Sequence, residues 1–219
     1  MNTTTKPGGV VVPLVTPIGT DGQLDCAALD RLIEFQIAGG VEGLLLLGTT
    51  GEGPCVPRPL RRPFIERAVA TARKRLRIYV NVAENSLADA LAGAKECFSL
   101  GADAIAALPP FYFAPRPAEL TAWFRALLDA SPGPVLLYNI PMTTRVSIPL
   151  ELIGELAGHP RFAGLKDSEN DAQRHADLLR HFGGRADFSL FCGVGALMAQ
   201  ELKSGMDGIV PSVGNLIPE

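Results

Sequence analysis

Two periods of hydrophobicity alternate along this chain. Short, continuously apolar runs recur at "GVVVPLVTP", "GLLLLGTT", "RIYVNVAEN", "AIAALPP", "VLLYNIP", "FAGLKDS", "FSLFCG" and "GIVPSV". Runs of this length, rich in leucine and β-branched residues, fit strands buried on both faces. Between them lie seven segments with helical spacing: Asp25 to Ala38, Pro59 to Lys74, Ser86 to Leu100, Pro117 to Ala130, Pro149 to Ala157, Asp171 to His181 and Val194 to Lys203. Several carry helix signals at their ends. Ser86 has Asp89 three residues on, Pro117 and Pro149 stand near a first turn, and Gly39, Gly101 and Gly205 mark stops.

The pattern also echoes itself. Gly40-Val41-Glu42-Gly43-Leu44, Gly101-Ala102-Asp103-Ala104-Ile105 and Gly205-Met206-Asp207-Gly208-Ile209 each run from a helix-ending glycine through an acidic turn residue into a strand. Repeated β-α units mean repeated crossovers, and eight of them predict one α/β domain over residues 1–219, a (β/α)8 barrel. Its chemistry would gather at the C-terminal ends of the strands. An open doubly wound sheet is the competing architecture, but no G-x-G-x-x-G follows the first strand.

Composition narrows the function classes. The 219 residues are 47% hydrophobic with a formal net charge of −3, enough for a sizeable core and without a basic run. Nucleic acid and anionic membranes are therefore not expected partners, and small molecules are. The start, "MNTTTKPGGVVVPLVTP", lacks the pattern of a signal peptide, and no stretch is long and apolar enough to span a membrane, so a cytoplasmic protein is expected. Cys26, Cys55, Cys97 and Cys192 form no C-x-x-C pair, which points away from a zinc site or a disulfide scaffold. His159, His175 and His181 fall at no strand end and no metal-ligand spacing; each is expected at the surface or at a helix cap. No metal or cofactor is expected.

Read at the strand ends, the sequence offers a reactive amine. Lys166 closes the sixth apolar run, and a lysine facing a barrel interior is stripped of water, which favours the neutral amine that attacks carbonyls. Tyr138 ends the neighbouring run, and adjacent strands lie ~4.8 Å apart, so its phenol could shuttle protons for that amine. The loop "GTTGEGP", residues 48–54, lacks the lysine of a phosphate-binding P-loop. By itself it reads as a tight turn. Opposite Lys166, its glycines and the hydroxyls of Thr49 and Thr50 suit a small carboxylate, with Thr50 also placed to relay protons to Tyr138.

"GTTGE", "YNIP" and "GLKDS", in this order and near this spacing, resemble the dihydrodipicolinate synthase and N-acetylneuraminate lyase family of pyruvate-type class I aldolases. The resemblance implies a metal-independent enzyme that joins or cleaves a C–C bond between a 2-oxo acid and an aldehyde, usually as a homo-oligomer, tetramer or dimer. It implies Lys166 as the Schiff-base lysine and Tyr138 as the general acid/base. Thr49 and Thr50 would bind the carboxylate, Thr50 would join the relay, and Tyr112 would complete it, in many members across a subunit interface. Val210 would line the pocket and Ser212 would touch the second substrate.

Three departures shape the expected substrate. Thr143 stands where the biosynthetic members carry an arginine for the second substrate's carboxylate, with Arg145 two residues on. The main expectation is therefore a 2-keto-3-deoxy sugar acid or a related hydroxy-oxo acid. The alternative is 4-hydroxy-tetrahydrodipicolinate synthase, which joins pyruvate to aspartate semialdehyde. From another class, the chain could be a silent barrel acting as a subunit or regulatory partner. "CGVGAL", residues 192–197, replaces acidic residues common after strand seven; its Gly193–Gly195 turn reads either as a plain turn or as a phosphate cradle. Finally, "NLIPE" ends the chain where an eighth helix should begin, so a C-terminally truncated barrel is expected.

Overall fold

In the computed structural model, which describes residues 6–219, eight parallel strands close into a barrel in chain order. They are β1 (Gly9–Pro13), β2 (Gly43–Leu46), β3 (Arg77–Val82), β4 (Ala104–Ala107), β5 (Val135–Asn139), β6 (Phe162–Asp167), β7 (Ser189–Cys192) and β8 (Gly208–Ile209). Closure is explicit, because β1 pairs with both β2 and β8, and this rules out the open sheet. Residues 1–5 of the segment read for a leader lie outside the described residues. No described helix is long and apolar enough to cross a membrane.

Seven helices join the strands where the spacing predicts them: α1 (Cys26–Ala38), α2 (Arg58–Ala72), α3 (Leu87–Ser99), α4 (Pro117–Ala130), α6 (Leu150–Leu156), α7 (Ala172–Phe182) and α8 (Met198–Ser204). An additional single turn, α5 (Pro141–Thr144), follows β5 directly. Four residues carry no readable period, and only Pro141 at its first position hints at it. The Ser86 cap is realised, its hydroxyl accepting from Asp89 N–H at 3.3 Å. Gly205 closes α8 at φ 109°, a left-handed stop open to glycine at no steric cost.

The echoed acidic residues have a physical reason. Glu42, Asp103 and Asp207 each sit immediately before a strand, and each grips one residue of a neighbouring strand twice. Their carboxylates accept the N–H of Val10 (2.6 Å), Ile78 (2.7 Å) and Leu190 (2.8 Å), while their own N–H groups donate to the carbonyls of those same residues at 2.8–2.9 Å. The repeat is thus a clamp at the N-terminal rim, where buried backbone groups must find partners. Alternation along the strands then divides the core in two. Val11, Leu45, Tyr79, Ala106, Leu136, Phe191 and Val210 fill the barrel, while Val12, Leu44, Leu137, Leu165 and Leu190 pack outward with the helices. Gly164 leaves room for this inner layer: at φ 155°, a β-carbon there would lie 2.1 Å from the Ser189 carbonyl and 2.9 Å from Leu136.

After β8 the described chain makes a 3-10 turn, Ser212–Asn215, and runs on to Glu219 without a further helix. The turn is tied to the first unit. Gln36 donates to the Gly214 carbonyl at 2.9 Å, and Asn215 donates to the Pro13 carbonyl at 2.9 Å while accepting from Val15 N–H at 3.1 Å. Val213, Leu216 and Ile217 remain exposed.

Candidate active site

Lys166 and Tyr138 are register partners on β6 and β5, and strand alternation turns both inward near the C-terminal mouth. Lys166 is only 5% exposed, and its Nζ stands 3.8 Å from the centre of the Tyr138 ring. The closed interior strips water from the amine, and the π face compensates it in part. The Tyr138 hydroxyl lies 3.2 Å from Thr49 Oγ1. Burial by itself raises this phenol, but the neighbouring Lys166 charge and hydrogen bonding with Thr49, Lys166 and Ser168 outweigh it and hold it below its ordinary value. A phenol so placed gives up its proton more readily than an ordinary tyrosine. Ser168 was not among the expected residues, although it closes the "GLKDS" motif.

The two threonines separate. Thr49, not Thr50, meets Tyr138, whereas Thr50 Oγ1 lies 2.9 Å from Ser212 Oγ and joins the β2 loop to the turn after β8. The hydroxyl beside Tyr138 is thus that of Thr49 rather than of Thr50, the residue expected in the relay. The loop's geometry decides this. Leu47 and Glu52 both adopt left-handed backbone (φ 56° and 52°), Thr16 Oγ1 donates to the Gly51 carbonyl at 2.7 Å, and a β-carbon on Gly53 would sit 1.8 Å from the Leu47 carbonyl. Such a tight, tethered turn points consecutive side chains apart.

The other expected residues fall in three places. Val210 is buried and, with Lys166 and Phe191, bounds an internal space of only about 10 Å³, too small for an organic ligand, so substrate must reach Lys166 from the mouth. Beside Thr49 a larger cavity of about 270 Å³ opens, bounded by Thr49, Glu52, Cys55, Asn81, Phe111 and Thr143. Thr143 thus faces the same space as Thr49. Arg145 is exposed at the end of α5 with left-handed backbone. Tyr112 stands apart, 76% exposed, edge-on to the equally exposed Phe113. In the 192–197 loop, Gly193 packs against Ser168, and its N–H donates to the Asp167 carbonyl at 2.7 Å.

Behind the lysine, on the helix side of the sheet, lies a buried polar layer. Asn139 follows Tyr138 and Asp167 follows Lys166; Asn139 Nδ2 donates to both Asp167 oxygens at 3.2 and 3.1 Å. Asp167 also accepts from Arg174 Nε at 2.7 Å and from Glu169 N–H at 2.8 Å. Burial pushes the Asp167 carboxyl up, but His175, Arg174 and the Glu169 N–H hold it below its ordinary value. His175 corrects the expectation of a surface or cap histidine. It is fully buried between Asp167 and Glu201, itself 3% exposed. Its signal was its spacing, in one stripe with Leu178 and Phe182 on α7. His159, half-buried beside Asp129, and the exposed His181 lie near the surface. Among the described residues no cluster of His, Cys, Asp and Glu is arranged to hold a metal ion.

Comparison with known proteins places this geometry. The profile of the dihydrodipicolinate synthetase family matches residues 6–219. The 4-hydroxy-tetrahydrodipicolinate synthase of Exiguobacterium sp. is 36% identical over 210 residues, covering 96% of this chain and 71% of that protein. The Salinibacter ruber enzyme of the same name is 35% identical, covering 96% and 69%. The solved dihydrodipicolinate synthase of Bacteroides thetaiotaomicron superposes with a TM-score of 0.93 at 35% identity, covering all of this chain and 73% of that one. A family profile matched from the first described residue to the last, on a closed barrel with a lysine and a tyrosine meeting at its mouth, leads to one conclusion: the chain belongs to the dihydrodipicolinate synthetase family of class I, Schiff-base aldolases and lyases.

Proposed function

We propose that the protein joins pyruvate to an aldehyde, or cleaves the corresponding product, through an imine on Lys166. The observation that carries this reading is the buried Lys166 amine 3.8 Å from the ring of Tyr138, whose hydroxyl meets Thr49. The neutral amine attacks the pyruvate carbonyl, water leaves with protons passed through Tyr138, and the protonated imine withdraws electrons from the adjacent carbon. That carbon loses a proton to become an enamine, adds to the aldehyde, and hydrolysis frees Lys166. Thr50 and Ser212 receive the pyruvate carboxylate, and Val210 walls the pocket. The exposed Tyr112 and Phe113 support assembly of identical copies, in which Tyr112 completes a neighbour's relay. The place of action is the cytoplasm.

The names carried by the relatives favour pyruvate plus aspartate semialdehyde, the 4-hydroxy-tetrahydrodipicolinate synthase reaction, over the sugar-acid chemistry that the motifs suggested. Thr143 supports the second reading, because a neutral hydroxyl facing the Thr49 cavity offers an acidic aldehyde no paired hydrogen bonds. A condensation assay against aspartate semialdehyde and neutral sugar aldehydes decides between them. Thr143→Arg should raise the ratio of acidic to neutral aldehyde turnover, and an unchanged ratio removes Thr143 from the second-substrate site. Failure of pyruvate and borohydride to modify Lys166 would sink the imine mechanism.

A further inference from the structure

Both ring nitrogens of His175 face a carboxylate. Nε2 is 3.7 Å from Asp167 Oδ1 and Nδ1 is 3.4 Å from Glu201 Oε1, within ion-pair reach although neither nitrogen makes a hydrogen bond, and the ring is fully shielded from solvent. A neutral imidazole has one N–H and one lone pair, so either tautomer would aim a lone pair at an anion. Only the imidazolium offers N–H to both. Charge balance points the same way. The buried layer holds two anions, Asp167 and Glu201, against one permanent cation, Arg174; protonated His175 brings the four to neutrality, and an uncompensated buried charge is costly.

The remaining titratable neighbours add no cation that could replace His175, and Glu169 adds a third carboxylate. Glu169, at the edge of the layer, lies 3.4 Å from Arg174 Nε and accepts from Ser147, and the buried Cys192 thiol on β7 is pushed up, chiefly by burial, and stays neutral. Burial lowers the affinity of His175 for its proton, but Asp167 and Glu201 more than offset this and hold it above its ordinary 6.5.

We propose that His175 is a positioning residue: an imidazolium clamped between Asp167 and Glu201 that fixes the end of β6 and so sets where Lys166 stands against Tyr138. The connection is one peptide long. Asp167 follows Lys166, and Asn139, which follows Tyr138, donates to the same Asp167 carboxylate. One network on the outer face therefore ties together the two strand ends that present amine and phenol on the inner face. When His175 loses its proton, Asp167 keeps Arg174 of α7 but loses the link that runs through His175 to Glu201 of α8, and the pair loosens. This inference rests on the reading of Lys166 as the reacting amine.

The experiment compares wild type, His175→Gln and Glu201→Gln, the last a near-isostere remote from the pocket. Turnover, KM for pyruvate and thermal melts are followed from about pH 6 to about pH 9. In His175→Gln, kcat should fall about tenfold or more with KM for pyruvate nearly unchanged, the pattern of a misplaced reacting group. In Glu201→Gln, the alkaline decline in kcat should move to lower pH, because one of the two anions that hold the proton is gone. A group whose folded pKa is raised stabilises fully below its unfolded value and loses that contribution as pH rises through the folded one. The wild-type melting temperature should therefore fall over this range, and His175→Gln should lack that fall. If His175→Gln does not fold, Glu201→Gln decides alone. Wild-type pH profiles and melts in both variants would overturn the clamp. A shift in melts without any change in the kcat profile would overturn the positioning role. Wild type that forms no borohydride-stable pyruvate adduct overturns the Lys166 reading instead, and the melts still judge the imidazolium.

Discussion

Removing one oxygen atom separates chemistry from packing at this site. Tyr138→Phe keeps the ring, which is 2% exposed and lies under the Lys166 amine at 3.8 Å, so packing and the cation–π contact persist. What goes is the hydroxyl 3.2 Å from Thr49, worth about 1 kcal/mol of stability for a typical hydrogen bond. Losing a general acid/base costs about 10²-fold or more in rate, which is ~2.7 kcal/mol or more on the barrier. The kinetic loss should thus exceed the stability loss more than twofold. Turnover measured beside a thermal melt, on protein checked for its fold, reads both quantities. Turnover within about threefold of wild type would reduce Tyr138 to a core aromatic. A rate that falls only in step with the folded fraction would refute the argument equally.

The remaining expectations follow from the same contacts. Thr49→Val removes Tyr138's partner and should lower kcat about tenfold, whereas Thr50→Val breaks the Ser212 contact and should chiefly raise KM for the 2-oxo acid; identical kinetic signatures would mean that the two hydroxyls are not separated. Asp167→Asn leaves Arg174 and His175 short of their anion and should cost about 3–5 kcal/mol in denaturant unfolding. Because the Asp167 carboxyl is held below its ordinary 3.8, its stabilisation is present above that value and disappears as pH falls through the folded one, so acid unfolding curves of wild type and variant should converge. Gly164→Ala drives a methyl group to 2.1 Å from the Ser189 carbonyl and should destabilise by about 3 kcal/mol; a melt within a degree or so of wild type would show that β6 shifts freely.

What the sequence determined was whatever repeats locally. Strand runs, helical stripes and stop glycines depend on neighbours within a few residues, so eight strands and seven connecting helices were legible, as was the placing of Lys166 and Tyr138 on adjacent strand ends. Tertiary structure decided everything that depends on which way a side chain turns. The choice of Thr49 over Thr50 hangs on left-handed Leu47 and Glu52 and on Thr16 holding Gly51 across the loop, none of which a composition of glycine and threonine specifies. His175 shared its stripe with Leu178 and Phe182, yet its two anions arrive from β6 and α8, eight residues before it and twenty-six after it, and only the closed barrel brings them together. The acidic echo shows the same division. Glu42, Asp103 and Asp207 were visible as a repeat, but their task, gripping both backbone groups of one residue on a neighbouring strand, exists only once the strands are paired.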